Sequence, residues 1–430
     1  YQVSQEFQLL GKALDDRLSW VAGLYYFHES GYVHDFVPFE GILDVYDGVG
    51  NDVDNKDYAA YFHADYRFDS RWTLTVGGRY TDAQAYFIGS QGDLNSFPFG
   101  SYCWLNSCGG APPYTDIIPN AWAAGNPYFR YFPATPDSQA WHIFDPTGSI
   151  QYHFTPNTMG YVTWSKGFMA GGWTTRLSLN PISSPADARY GPETSKAWDA
   201  GVKTELLDRH LIIDGDVYYT DFDGIQLNVQ NGISPVLTNA GYAKNQGAEL
   251  SVESLIADTG LQLNGSASYI DAYYTSVNPE VGLPQYADAE GNTYCPAGPP
   301  ACTFTWSGVS PLSAKLPKTP KLKVVLDPQY RLPLPNGASL AFIPVYTYTS
   351  SMFNDALNTP QLRRPVTHMV DASLHYLSAS GRYELAVGGT NLADDRYITG
   401  GQANYGAGEI DGYVDEPREW YATIRVQFGQ

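Results

Sequence analysis

The feature that most constrains this chain is an unbroken alternation of short and long connections between strand-length segments. Residues 4–10 and 18–28 are joined by the short turn GKALDDR, and a long connection then runs to about Lys56. Residues 58–68 and 73–87 are joined by DSR, and the longest insertion follows, to about Phe144. The rhythm repeats for 148–154 with 160–168 across TPNT, 197–206 with 211–222 across LDR, and 248–256 with 261–273 across ADTG. It continues for 322–331 with 339–348 across PLPNG and 369–377 with 383–390 across SASG, before a last loop and a closing strand. Tight turns at one end and long loops at the other describe an up-and-down antiparallel meander of about fifteen strands.

The faces agree with this reading. Leu211, Ile213, Val217 and Tyr219 oppose Asp214, Asp216 and Tyr218, and Leu261, Leu263, Ala267 and Tyr269 oppose Gln262, Asn264, Ser266 and Ser268. In the closing segment Trp420, Ala422, Ile424, Val426 and Phe428 oppose Tyr421, Thr423, Arg425 and Gln427. Such period-2 alternation gives each strand one apolar and one polar face. The segment 340–348 alternates poorly, and Pro344 argues against a central strand there.

What the apolar faces meet is decided by composition. Charged residues are 16% of the chain and aromatics 15%, with 34 Tyr; a soluble domain carries roughly 25% charged residues. No apolar run approaches the ~18 residues of a membrane helix. A bilayer is otherwise crossed only by closed barrels, because backbone groups must pair internally. The expected fold is therefore all-β, a transmembrane antiparallel up-and-down β-barrel with short turns periplasmic and long loops extracellular. A soluble sandwich would not need long connections at one end alone, and no solenoid period is visible. The chain opens at Tyr1 directly before a strand-like run, which suits a processed or partial chain.

The net charge of -20 argues against nucleic-acid binding. Four cysteines form two close pairs, Cys103 with Cys108 and Cys295 with Cys302, each in a Gly/Pro-rich stretch on the extracellular side. Local disulfides in an oxidising compartment are expected, although three connectivities are formally open; neither spacing is the CxxC of a zinc site. Asp44, Asp47, Asp52, Asp54 and Asp57 make an acidic loop that is a weak Ca²⁺ candidate and lacks the full EF-hand pattern. Otherwise no metal and no cofactor is expected. The eight His are scattered, and no GxSxG, P-loop or HExxH is present, so catalysis is not expected.

Several stretches resemble the TonB-dependent outer-membrane receptor family. They are SQEFQLLGKALDDRLSWVAGLYYF at 4–27, SKGFMAGG at 165–172, GPETSKAWDAGVKTELLDRHLIIDGDVYYTDFDGIQL at 191–227, NAGYAKNQGAELSVE at 239–253 and, most specifically, GGTNLADDRY at 388–397 with the terminal aromatic strand. Asp199 stands where the family usually has Glu, and Phe428, the family's terminal aromatic, is followed by Gly429 and Gln430. The resemblance implies that residues 1–430 are the C-terminal part of a 22-stranded barrel, with a plug domain, a TonB box and the first strands upstream. It implies TonB-driven uptake of a scarce ligand, with siderophore-iron the default and cobalamin or a glycan as alternatives. Outer-membrane lipid, lipopolysaccharide and the TonB complex would be partners. Candidate ligand contacts are Trp173 and Arg176 after SKGFMAGG, with Tyr190, Tyr242, Tyr397, Tyr405 and Tyr413 in other predicted loops; such aromatics suit flat, partly apolar ligands. The competing reading is a passive porin-like channel or structural barrel.

Overall fold

A computed structural model describes residues 1–39, 45–93, 130–132, 135–175, 182, 184–231, 234–256, 259–277, 314–404 and 409–428. Fifteen strands form one antiparallel meander in chain order: β1 (Gln2–Ala13), β2 (Leu18–Phe39), β3 (Val45–Arg67), β4 (Trp72–Asp93), β5 (Pro136–Thr155), β6 (Thr158–Met169), β7 (Glu193–Leu206), β8 (Leu211–Asp223), β9 (Gly241–Ile256), β10 (Leu261–Val277), β11 (Leu322–Pro333), β12 (Ser339–Thr349), β13 (Thr367–Leu377), β14 (Tyr383–Thr390) and β15 (Glu419–Val426). The short strand Arg130–Phe132 pairs beside β4. Among the described residues β1 pairs only with β2, and β15 only with β14.

The short turns carry their own geometry. Leu14, Asp15 and Asp16 all have positive φ, and so do Leu207, Asp208 and Arg209. Three successive left-handed residues reverse the chain within four positions, and the LDDR and LDRH stretches do so in the same way.

Several strands run further than expected. The connection expected up to Lys56 is largely ladder, with β2 and β3 paired from Leu18↔Tyr66 to Phe39↔Val45. At ~3.3 Å per residue such a strand is roughly 70 Å long, whereas about 9–11 residues cross a bilayer. The tall end stands outside the membrane on the long-loop side. On the β3 side its sequence, VYDGVGNDVDNKD, is too rich in Asp and Gly to announce a strand; hydrogen-bonding neighbours on both sides supply what local propensity lacks. The acidic stretch is thus strand rather than loop.

The apolar faces are exposed, as lipid-facing surfaces are. Leu24 is 62% exposed, Val217 57% and Trp420 73%. Trp72 packs on Tyr152, and Tyr152 on Phe154, with ring centroids 4.5 and 5.0 Å apart at the turn end. Tyr80, also outward, lies eight residues further along β4, about 26 Å up the strand, close to the ~25 Å apolar band of outer-membrane barrels. Tyr26 and Tyr58, 5.2 Å apart, continue this upper girdle.

The opposite face is polar. Tyr61 Oη donates to Glu6 at 2.6 Å, Arg79 lies over the Tyr25 ring, and Asp216 pairs in register with Glu249. Glycines on this face seat tyrosines from the next strand: a Cβ on Gly201 would lie 2.7 Å from Tyr161 Oη, and one on Gly247 2.5 Å from Tyr218 Oη. Pro344 lies within β12 after all. The β11–β12 ladder breaks between Leu326↔Tyr346 and Tyr330↔Phe342, the stretch where Pro328 stands opposite Pro344. Two residues without an N–H face each other there, which confines the break to one place.

Candidate ligand-binding site

Above the strands the long connections fold back on one another. Gln226–Asn231 and Ser234–Asn239 form one hairpin, and Ile398–Asn404 and Glu409–Val414 another. Gly172–Trp173 pairs with Arg189–Tyr190, and Met352 bridges Arg364 across the loop after β12. A buried cluster of Ile225, Leu227, Val229, Tyr274, Leu316 and Ala356 ties the first hairpin to the segment before β11 and the loop after β12.

Between these elements lies a cavity of about 360 Å³. It is lined by Leu227 and Asn228 from the first hairpin, Lys318, Asn354 and Asp355 from the loops, and Gln402 from the second hairpin. Asparagines set its walls. Asn358, at φ 56°, accepts from the Lys315 amide at 2.6 Å and donates to the Lys315 carbonyl at 2.8 Å. Asn354 donates to the carbonyls of Leu362 and Ile398 at 2.8 and 2.9 Å, so one side chain joins two loops. Its Oδ1 is buried without a protein partner among the described residues. A buried acceptor of this kind calls for a donor from elsewhere.

Asp355 accepts from the Thr359 amide at 2.9 Å and hydroxyl at 2.6 Å. Burial pushes its carboxyl above the usual range, against the lowering effect of those bonds. Beside the cavity the Arg364 guanidinium stacks on Tyr397. Burial, followed by the hydrogen bond to Asp415, pushes the Tyr397 hydroxyl up to about 12, so it stays a neutral donor.

A second set of amides holds the loops to the strand tops. Gln226 Nε2 donates to the carbonyls of Ala170 and Gly191, and Asn239 Nδ2 to those of Gly191 and Gly224. Nearby, Trp173 stacks on Phe87 at 5.0 Å and its Nε1 donates to Asp137 at 2.7 Å. Arg189 Nε donates to the same carboxylate at 2.7 Å. Arg189 first, then Trp173, holds the Asp137 carboxyl below its usual range, with burial opposing.

The expected contacts therefore divide. Trp173 is 9% exposed and packed as core, and Tyr190 is half-buried beneath Gly172 on the same ladder. Tyr397 and Tyr413 belong to the second hairpin region, Tyr397 half-buried under Arg364 and Tyr413 67% exposed. Tyr242 lies in strand β9, paired with Asp223, rather than in a loop. Arg176, Tyr405 and the four cysteines Cys103, Cys108, Cys295 and Cys302 lie outside the described residues, as does Asp44. Asp47 and Asp52 lie in β3, and Asp54 is engaged by His28 and Lys56, each at 2.8 Å. Among the described residues no group of three or more His, Cys, Asp or Glu is placed to hold a metal ion. Phe428 follows β15 and is 79% exposed. Sequence reasoning missed the amides: Asn354, Asn358, Gln226 and Asn239 build the site, and none of them stands directly beside Gly or Pro to announce it.

A strand meander with an apolar outer band between two aromatic girdles, a polar inner face and a loop-built cavity above it defines the wall of an outer-membrane β-barrel receptor. A family model for the TonB dependent receptor-like β-barrel matches residues 1–392, and the chain belongs to that family. A probable TonB-dependent siderophore receptor, PiuA of Acinetobacter baumannii, is 25% identical over 280 residues, covering 64% of this chain and 32% of that protein. The ferric yersiniabactin uptake receptor FyuA from Yersinia pestis superposes on 100% of this chain and 54% of its own, at TM-score 0.70 and 17% identity. The ferric-catecholate import receptor Fiu from E. coli K12, in its closed form, covers 99% of this chain and 54% of its own, at TM-score 0.65 and 16% identity. The chain spans about a third of the curated relative and about half of these solved structures.

Proposed function

We propose that this chain forms the outer-membrane wall of a receptor that takes up a scarce ligand, with siderophore-iron the leading candidate. The observation that carries the reading is the loop cavity with the unpartnered Asn354 Oδ1 above a barrel wall of this family. Its amides suit a ligand rich in carbonyl and hydroxyl groups, while Lys318 supplies a cation. The wall works with a plug domain carried by the rest of the receptor, and TonB, driven by the inner-membrane proton gradient, moves that plug. The part played by the chain itself is transport rather than catalysis.

The test is uptake of radiolabelled ferric siderophores by cells expressing the intact receptor, with and without an uncoupler. Accumulation abolished by the uncoupler, and weakened in an Asn354→Leu variant that still folds, supports the reading. Accumulation indifferent to the uncoupler, together with ion conduction in a planar bilayer, would replace it with a passive channel.

A further inference from the structure

The loop cavity holds two opposite charges that do not meet. Lys318 and Asp355 both line it. They form no ion pair with each other, and among the described residues neither has another charged partner.

Each charge is held in place from behind. The Asp355 carboxylate accepts from the Thr359 amide and hydroxyl, both neutral donors. Burial pushes its carboxyl above the usual range despite those bonds, as expected where no cation balances the charge. Lys318 sits at φ 56°, and its amide donates to the Phe353 carbonyl at 2.7 Å, which ties it to the residue just before Asn354. Its side chain is exposed at the mouth of the cavity.

Beside Asp355, Asn354 is 7% exposed. Its Nδ2 is committed to the carbonyls of Leu362 and Ile398, so the amide cannot turn over and Oδ1 remains an acceptor. That oxygen has no protein partner among the described residues. Buried Leu227, Leu357 and Ala403 give the cavity an apolar wall from three different elements.

The chemistry of the occupant follows from these charges. A metal ion would need more ligands than one carboxylate, and no suitable group is present among the described residues. A simple anion would meet Asp355, and a simple cation would meet Lys318. A group that carries both charges satisfies both walls, and its N–H groups supply the donor that Asn354 Oδ1 lacks. At about 360 Å³ the cavity is at the small end of ligand pockets, which run from about 300 to 1,000 Å³, so it holds one arm of a larger ligand.

We propose that this cavity binds a free α-amino-acid group carried by the transported ligand. The ammonium group lies between Asp355 and Asn354 Oδ1, and the carboxylate meets Lys318. The aliphatic side chain, which links the group to the rest of the ligand, runs past Leu227, Leu357 and Ala403. The proposal rests on the reading of the cavity as the ligand site and narrows the ligand to one with an amino-acid arm.

The test is saturation-transfer NMR of the intact receptor in detergent, titrated with leucine, with N-acetyl-leucine, which lacks the ammonium group, and with leucinamide, which lacks the carboxylate. Leucine is expected to bind about tenfold or more tightly than either capped form, as loss of a charge-assisted bond predicts. In Lys318→Gln, leucine and leucinamide should bind alike while N-acetyl-leucine stays weaker. In Asp355→Asn, leucine and N-acetyl-leucine should bind alike while leucinamide stays weaker. Each variant thus loses one discrimination and keeps the other, which a folding defect would not produce. Equal binding of all three probes by the wild type would overturn the proposal, as would a variant that keeps both discriminations. Failure of leucine to bind a receptor that still accumulates ferric siderophore in an uncoupler-sensitive way would also overturn it, and would leave the receptor reading standing. Loss of that accumulation in the wild type would overturn both.

Discussion

The guanidinium carbon of Arg364 lies 3.9 Å from the centroid of the Tyr397 ring. The same side chain donates to Thr367 Oγ1 at 2.8 Å, and its backbone bridges Met352. One residue thus pins the loop after β12 to the base of the second hairpin. Arg364→Ala removes a cation–π contact and a hydrogen bond, and is expected to cost roughly 2 kcal/mol. Hydrogen exchange across 350–366 should rise while exchange in the membrane strands stays unchanged. Arg364→Lys should recover only part of the loss, because an ammonium cannot stack as a plane.

Asn391, in the NLADDRY stretch, sits at φ 48° and is 3% exposed. It accepts from the Asp395 amide at 2.9 Å and donates to the carbonyls of Asp395 and Glu416 at 2.9 and 3.1 Å. Asn391→Ala loses three bonds and places Cβ in a left-handed conformation that Asn tolerates better. The expected cost is about 3 kcal/mol, read as a lower melting temperature and faster proteolysis between 391 and 418. Asn391→Gly should restore only the backbone part.

Asp355 provides a pH test. Its folded pKa is raised by burial, so its contribution is complete below the ordinary Asp value near 4 and is lost as pH rises through the folded value. The loop 354–359 should therefore exchange amide hydrogens relatively more slowly at acid pH than at neutral pH, once intrinsic exchange is divided out. Asp355→Asn keeps an acceptor for the Thr359 amide and can donate to its hydroxyl. It should flatten that pH dependence and leave the loop at least as protected at neutral pH.

The left-handed turns predict an easy gain. Leu207 adopts φ 52° in the turn between β7 and β8, a conformation costly for a residue with Cβ. Leu207→Gly should raise stability by about 0.5–1 kcal/mol, the steric relief exceeding the added entropy of the unfolded chain. Differential scanning calorimetry of the intact receptor would show it as a small upward shift. A downward shift would mean that the Leu207 side chain contributes packing that outweighs the strain.

The meander, its fifteen strands and its short turns were legible because they are local. Period-2 alternation in stretches such as Leu211–Tyr219 depends only on neighbouring residues, and turns such as LDR or SASG declare themselves within a few positions. The same pattern separated the lipid-facing Val217 and Trp420 from the polar face. Other features were not local. The tall end of β3 is Asp- and Gly-rich sequence that pairs because β2 and β4 lie on either side of it. Trp173 read as a loop contact, yet Phe87 and Asp137, far apart in sequence, enclose it. The cavity needs Leu227, Lys318, Asn354 and Gln402 from four separate connections. The sequence by itself determined the alternation that makes each segment a two-faced strand and the order in which the strands pair. Only the tertiary structure decided which loop residues converge and which are buried, because those contacts join positions whose separation along the chain carries no periodic signal.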